Sequence, residues 1–230
     1  MKIAILTGAG ISAESGISTF RDIKDGLWYN YNVEEVATAE GWENNPEKVL
    51  EFHNMLRAKC KDIKPNAAHI ALKELEDDHE VTIITQNVDN LHEKAGSTTV
   101  LHIHGELFKM RNCLEEVLVC DGDLNIGDLD EHDEQLRPHT VLFGEEPFYW
   151  FNSVEAIAEA DVFLIIGTSF SIGYLPMLIN SCSDECKVYY IDPKPDLGIH
   201  HAGSLDVNII EETATRGVPW VVSELMTEKT

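Results

Sequence analysis

Two short clusters in this chain hold residue types whose spacing could do chemistry. The first, Gly8-Ala9-Gly10-Ile11-Ser12-Ala13, directly follows the apolar run 3–6. In a Gly-x-Gly-x-x-Ala pattern the first glycine makes a tight turn and the second lets backbone N–H groups approach a pyrophosphate. The small third residue lets a helix sit close on a sheet. Short glycine turns after strands are common, so this cluster alone leaves a nucleotide site and a plain turn both open. The second cluster is His102-Ile103-His104. Alternation along a strand puts both imidazoles on one face, a geometry that could hold a metal. No cysteine or carboxylate stands beside them at ligand spacing, so one functional and one packed histidine is the favoured reading. His104 precedes Gly105, and a neutral imidazole near pH 7 suits removal of a proton from a sugar hydroxyl.

The thiols and the charge narrow the classes further. Cys60, Cys113, Cys120, Cys182 and Cys186 are an odd set in a chain expected to be cytoplasmic, since Met1-Lys2 leads straight into the first strand without room for a signal peptide. Neither Cys113-x6-Cys120 nor Cys182-x3-Cys186 has the two-residue knuckle that brings two thiolates to one zinc, and no second pair stands between Cys120 and Cys182. Small buried thiols are expected, and no metal. With 41 acidic against 17 basic side chains the formal charge is −24, which repels phosphate backbones, so no nucleic-acid partner is expected. No run approaches the length of a membrane span, and 230 residues at 43% hydrophobic suffice for one full core and a small insert.

These clusters need elements to position them. Residues 3–6 read as a short strand buried on both faces, and strand patterns recur at 81–85, 100–104, 141–143, 162–166 and 188–191. Pro46 suits the first turn of a helix over 47–58, Pro65-Asn66 breaks it, and further helices are expected over 69–77, 154–159 and 176–180. Residues 112–135, rich in Asp, Glu and Gly, read as an excursion from the main sheet. Strands alternating with helices imply a mostly parallel sheet covered on both faces. Polar residues collect just after the strands, at 8–12, 86–89, 104–105, 167–169 and 192. The carboxyl ends of parallel strands face the ligand crevice, so these five segments should converge. The acid that dinucleotide dehydrogenases carry at the end of the second strand is not evident.

Six motifs then stand in the order and spacing of a known family. With G-A-G-I-S-A-E-S-G-I-S-T-F-R, T-Q-N-V-D-N-L-H-E-K-A-G, H-G-E-L, L-R-P-H-T-V-L-F-G-E, I-G-T-S and I-D-P-K-P, the chain resembles the sirtuins, NAD-dependent protein lysine deacylases, in a match from Lys2 to about Leu225. The resemblance implies an α/β fold: a Rossmann-like doubly wound parallel sheet with a small inserted module lacking the zinc ribbon. It implies a single domain over 1–230, with the Rossmann-like part at about 1–28, 70–106 and 141–230 and the module at about 29–69 and 107–140. It implies that Gly8, Ala9, Gly10, Ser12, Phe20 and Arg21 hold the pyrophosphate and close over the nicotinamide ribose. Gln86, Asn87 and Asp89 match the ribose and nicotinamide pocket, and Gly167, Thr168, Ser169, Asp192 and Ala214 match the adenosine side. His104 matches the catalytic base, with Asn87 beside the reacting centre. Val141, Phe143 and Gly144 match the strand that pairs with an extended acyl-lysine protein substrate. The implied products are free lysine, nicotinamide and an O-acyl-ADP-ribose.

Four departures from the family pattern carry information. The paired C-x-x-C motifs are missing, as in zinc-less bacterial members. Ser18 replaces the usual proline after S-G-I, and Ile172-Gly173-Tyr174-Leu175-Pro176 replaces a Val-x-Pro-Ala-Ala segment. Members that remove succinyl or malonyl groups carry Tyr-x-x-Arg on one helix face, and here that place reads His53-x-x-Leu56. Arg57 lies one residue further on, about 100° round the helix, and reads as a solvated surface charge. Neutral acyl groups such as acetyl are therefore expected. The alternatives are a desuccinylase or demalonylase, a mono-ADP-ribosyltransferase on the same co-substrate, or a non-catalytic NAD-binding module.

Overall fold

The computed structural model describes residues 1–18, 31–169, 173–195 and 206–227. The strands are β1 (Lys2–Thr7), β2 (Glu80–Thr85), β3 (Val100–His102), β4 (Gly105–Arg111), β5 (Val117–Val119), β6 (Arg137–Thr140), β7 (Val162–Ile166), β8 (Lys187–Ile191) and β9 (Val207–Ile210). The helices are α1 (Gly10–Ala13), α2 (Val33–Val36), α3 (Ala39–Asn44), α4 (Pro46–Cys60), α5 (Ala67–Leu75), α6 (Leu91–Ala95), α7 (Trp150–Ala158), α8 (Leu175–Ile179) and α9 (Ala214–Thr227).

Six strands form one sheet in the order β3-β2-β1-β7-β8-β9, every neighbouring pair parallel. The order reverses between β1 and β7, which places the crevice of a doubly wound sheet at their carboxyl ends. Alternation divides the core. Ile3 and Ile5 pack with Leu72 of α5 and Val218 and Val221 of α9, while Ala4 and Leu6 face Ile157 of α7 and Leu178 of α8. The sheet is thus covered on both faces, as the alternating pattern requires.

Helix limits follow local caps. Asn45 accepts from Lys48 N–H and Pro46 opens α4; Asn66 accepts from Ala68 N–H and opens α5 two residues before the expected start at 69. The strand expected over 141–143 lies instead at β6, and Pro138 within it is tolerated because β6 is an edge strand in the order β5-β4-β6.

This second, antiparallel sheet is tied down by side chains. Asn112 Oδ1 accepts from the N–H groups of Leu114 and Glu116. Asp130 accepts from those of Cys113, His132 and Glu134. Gln135 donates to three carbonyls and accepts from Gly127 N–H. Cys113 is exposed, while Cys120 is buried with Leu50, Leu124 and Leu136. Among the described residues no group of three His, Cys, Asp or Glu is placed to hold a metal, and no helix is long and apolar enough to cross a membrane.

Candidate active site

The segments after the strands meet. Gly8 N–H donates to the Ile166 carbonyl and Gly10 N–H to that of Gly167, both at 2.9 Å, so the loops after β1 and β7 touch through their backbones. A Cβ on Gly10 would lie 2.5 Å from Gly167 Cα, and one on Gly8 would lie 2.7 Å from the Gly167 oxygen. These glycines are there for loop-to-loop contact, and Gly10 N–H, expected to face a pyrophosphate, already has a partner. Gly167 holds φ +60°, a left-handed turn open to glycine.

The loop after β2 closes against the first. Asn87 Nδ2 donates to the Gly8 carbonyl at 3.1 Å and to Ser12 Oγ at 3.2 Å, and Ser12 Oγ donates to Asp89 Oδ2 at 2.9 Å. Burial raises the Asp89 pKa, and the bonds from Leu91 N–H and Ser12 oppose it. Gln86 Nε2 donates to Thr168 Oγ1 at 3.0 Å, which joins β2 to β7. The Thr168 carbonyl accepts from Tyr190, and Gly167 N–H donates to Ile191 at the end of β8. Asp192 follows, buried, its Oδ1 accepting from Lys194 N–H. Ser169 is half-buried beside Thr168. Ala214 opens α9 with its methyl in the apolar cluster, and Thr215 ties that helix to Glu14 beyond α1. Ala9 caps α1 and is half-buried. Phe20, Arg21 and Ile172 lie outside the described residues.

The two histidines of the H-I-H motif part company because β3 ends at His102 and the chain turns at His104. Both brace the loop after β2. His102 Nδ1 donates to the Asn87 carbonyl at 3.0 Å and His104 Nδ1 to the Gln86 carbonyl at 2.8 Å. His102 Nε2 meets Glu93 at 2.8 Å; burial lowers its pKa, but Glu93, Glu106 and the Asn87 carbonyl together raise it and the net shift is upward. His104 Nε2 contacts the Tyr174 hydroxyl instead, and burial lowers its pKa against the Gln86 bond. A carbonyl can only accept, so Nδ1 of neutral His104 carries the proton and Nε2 presents the basic lone pair.

A deeper polar layer under the glycine loop escaped sequence reasoning. Thr7 Oγ1 donates to Thr85 Oγ1 at 2.9 Å and lies 3.1 Å from His92 Nε2, and the His92 ring meets His69 edge-on. Asn66 completes it with a bond to the Ile11 carbonyl. The matching of β-branched Thr7 and Thr85 in register on β1 and β2 was the available signal.

Around the expected acyl-lysine segment the picture changes in detail. Phe143 N–H donates to the Ala37 carbonyl at 2.8 Å and its carbonyl accepts from Ala39 at 3.1 Å, so the backbone of this residue, which is 52% exposed, is committed and its side chain is what it presents. Val141 N–H goes to the His104 carbonyl, and Leu142 closes a turn with Glu145. The Val141 carbonyl and the N–H of Gly144, at φ +98°, stand outside these bonds. Glu145, not anticipated, anchors the turn through Arg137 at 2.8 Å and Arg111 at 3.5 Å. His53 is buried and its pKa falls to about 4 through burial; Nδ1 donates to the Val49 carbonyl at 2.8 Å and Nε2 accepts from Thr140 at 3.0 Å. Leu56 packs with Val36, Phe52 and Leu107. Arg57 is not the solvated charge expected. It is 4% exposed, and its guanidinium donates to Gly122, His53 and Leu107 carbonyls and to Asn54 Oδ1. These bonds tie the carbonyls of Leu107 and Gly122 to α4.

The arrangement suits an extended dinucleotide. Loop backbones approach closely at the switch point without intervening side chains, and one imidazole with a fixed tautomer stands at the carboxyl ends of the strands. Comparison with known proteins agrees. Residues 8–173 match the Sir2 family. The chain is 44% identical over 198 residues to an NAD-dependent protein deacylase of Aggregatibacter actinomycetemcomitans, covering 85% of this chain and 95% of that protein. A deacylase of the same description from Bacteroides thetaiotaomicron is 42% identical over 224 residues, with 94% of each chain covered. Among solved structures, a Sir2 homologue in complex with NAD superposes with a TM-score of 0.84 at 32% identity, covering 99% of this chain and 90% of that one. This chain belongs to the Sir2 family.

Proposed function

We propose that this protein is an NAD-dependent protein lysine deacylase in which His104 is the base and neutral acyl groups such as acetyl are preferred. The observation that carries the reading is the state of His104. Its Nδ1–H is fixed by the Gln86 carbonyl, so the ring can take a proton only at Nε2, the nitrogen that meets the Tyr174 hydroxyl. The chemistry NAD supplies when bound is acceptance of the acyl group on its ribose, with loss of nicotinamide and uptake of one water, leaving free lysine and an O-acyl-ADP-ribose. Gly8, Ala9, Gly10, Ser12, Gln86, Asn87 and Asp89 would hold the ribose and pyrophosphate; Gly167, Thr168, Ser169, Asp192 and Ala214 would hold the adenosine. The protein substrate would enter as an extended segment against Val141, Phe143 and Gly144. A reducing cytoplasm suits the five free thiols.

The preference for neutral acyl groups rests on what His53, Leu56 and Arg57 can donate. A carboxylate brought out of water needs charged or hydrogen-bonding partners, and one left unpaired costs several kcal/mol. His53 is neutral, with its one N–H engaged by Val49 and its lone pair by Thr140. Leu56 has nothing to give, and the Arg57 fork is engaged by backbone carbonyls and Asn54 Oδ1. Measured on one peptide, kcat/KM for acetyl-lysine should exceed that for succinyl-lysine at least tenfold. A succinyl preference would overturn the specificity while leaving the deacylase reading intact.

A further inference from the structure

The contact at His104 Nε2 has a consequence for how the base is reached. Tyr174 stands at the N-cap of α8, where the chain departs from the sirtuin pattern. Its hydroxyl is hydrogen-bonded to His104 Nε2, its ring edge packs on Trp150 with centroids 5.6 Å apart, and it meets the His104 ring edge-on at 6.2 Å. Nδ1 of His104 already donates to Gln86, so the proton in the Tyr174–His104 bond is the phenolic one. Burial pushes the Tyr174 pKa up to about 12, which keeps that proton in place at neutral pH. A neutral imidazole has a single in-plane lone pair, and it accepts one such bond. The phenol oxygen therefore stands where a hydroxyl that donates to Nε2 must stand.

We propose that Tyr174 is a gate on the base: in the free enzyme its hydroxyl fills the place at His104 Nε2 that a ribose hydroxyl takes, and that hydroxyl must displace it. This rests on the reading of His104 as the base. Tyr174 forms no bond with the substrate in this scheme. It acts through the histidine, by holding the lone pair until the ribose is seated, and the displacement weakens co-substrate binding by the net worth of one hydrogen bond, about fivefold.

Tyr174→Phe keeps the ring on Trp150 and removes the donor. ADP-ribose, used as the probe in calorimetry, should bind the variant about fivefold more tightly above the His104 pKa. The kcat/KM for NAD should rise by the same factor with kcat within twofold. A donor to Nε2 stabilises neutral imidazole in the free enzyme only, so its removal should shift the acid limb of the kcat/KM profile up by about 0.7 in pH, leaving the kcat limb in place. Below both limbs the two proteins should converge. In ¹⁵N-histidine NMR of the free protein, the His104 Nε2 resonance should move in the variant. Unchanged or weaker ADP-ribose binding together with an unmoved Nε2 resonance would overturn the gate. Turnover retained in His104→Ala would overturn the base reading instead, a result the binding and NMR measurements do not depend on.

Discussion

Gly10→Ala tests why the glycine turn is there. The added Cβ would lie 2.5 Å from Gly167 Cα and 2.9 Å from the Gly167 carbonyl oxygen, all backbone, with no flexible side chain to yield. The loops after β1 and β7 must therefore separate, which breaks the 2.9 Å bond from Gly10 N–H to Gly167. Overpacking of this kind costs about 1–3 kcal/mol and the lost bond about 1 more, so the variant should lose about 2–4 kcal/mol. For a chain of this size each kcal/mol lowers Tm by about 2–4 °C, so the transition should fall by about 5–15 °C. Calorimetry without nucleotide is the assay. Gly122→Ala is the control, because nothing lies within 4 Å of its Cβ position and the change should stay within about 0.5 kcal/mol. If Gly10→Ala melted with the wild type and lost only nucleotide affinity, the glycine would serve phosphate access alone and the packing argument would fail.

Two further outcomes follow from buried charge and buried imidazole. Arg57→Ala takes the guanidinium bonds from the Gly122 and Leu107 carbonyls and should cost about 2–4 kcal/mol, read as a lower Tm, with the acetyl-to-succinyl ratio unchanged; an unaltered Tm with a changed ratio would make Arg57 a substrate contact. Burial lowers the pKa of His53, His69 and His139 to about 4 and holds that of His92 well below its usual value, whereas the unfolded chain titrates near 6.5. The unfolded state thus binds more protons, and stability present above pH 6.5 should drain away between about pH 6.5 and 4, by up to about 1.4 kcal/mol per pH unit for each histidine. His102, with its net upward shift, opposes this as a single group; a Tm flat from pH 6.5 to 5 would refute the buried neutral states.

Much of this architecture was legible because burial writes itself into sequence. The charge-free β-branched runs at 81–85 and 162–166 became β2 and β7, and the polar residues after them converged because parallel strands all end at one edge. Elements whose sequence carries breakers were not legible. Gly217 and Pro219 punctuate α9, yet Gly217 is there because a Cβ would lie 2.5 Å from the Ile191 side chain. Pro138 hid β6, and Arg57 looked solvated because spacing along one helix says nothing about a loop 65 residues away folding over it. The histidines show the limit best. His102 and His104 alternate in sequence, but the end of β3 between them sends one to Glu93 and the other to Tyr174.

The central claim is acyl transfer from lysine to NAD with His104 as base. Its most direct measurement follows nicotinamide and deacylated peptide together, using an acetyl-lysine peptide, wild-type protein and His104→Ala. One nicotinamide should appear per lysine freed, no lysine should be freed without NAD, and His104→Ala should not turn over while ADP-ribose still binds it. Lysine freed without NAD, or full turnover in His104→Ala, would contradict the claim.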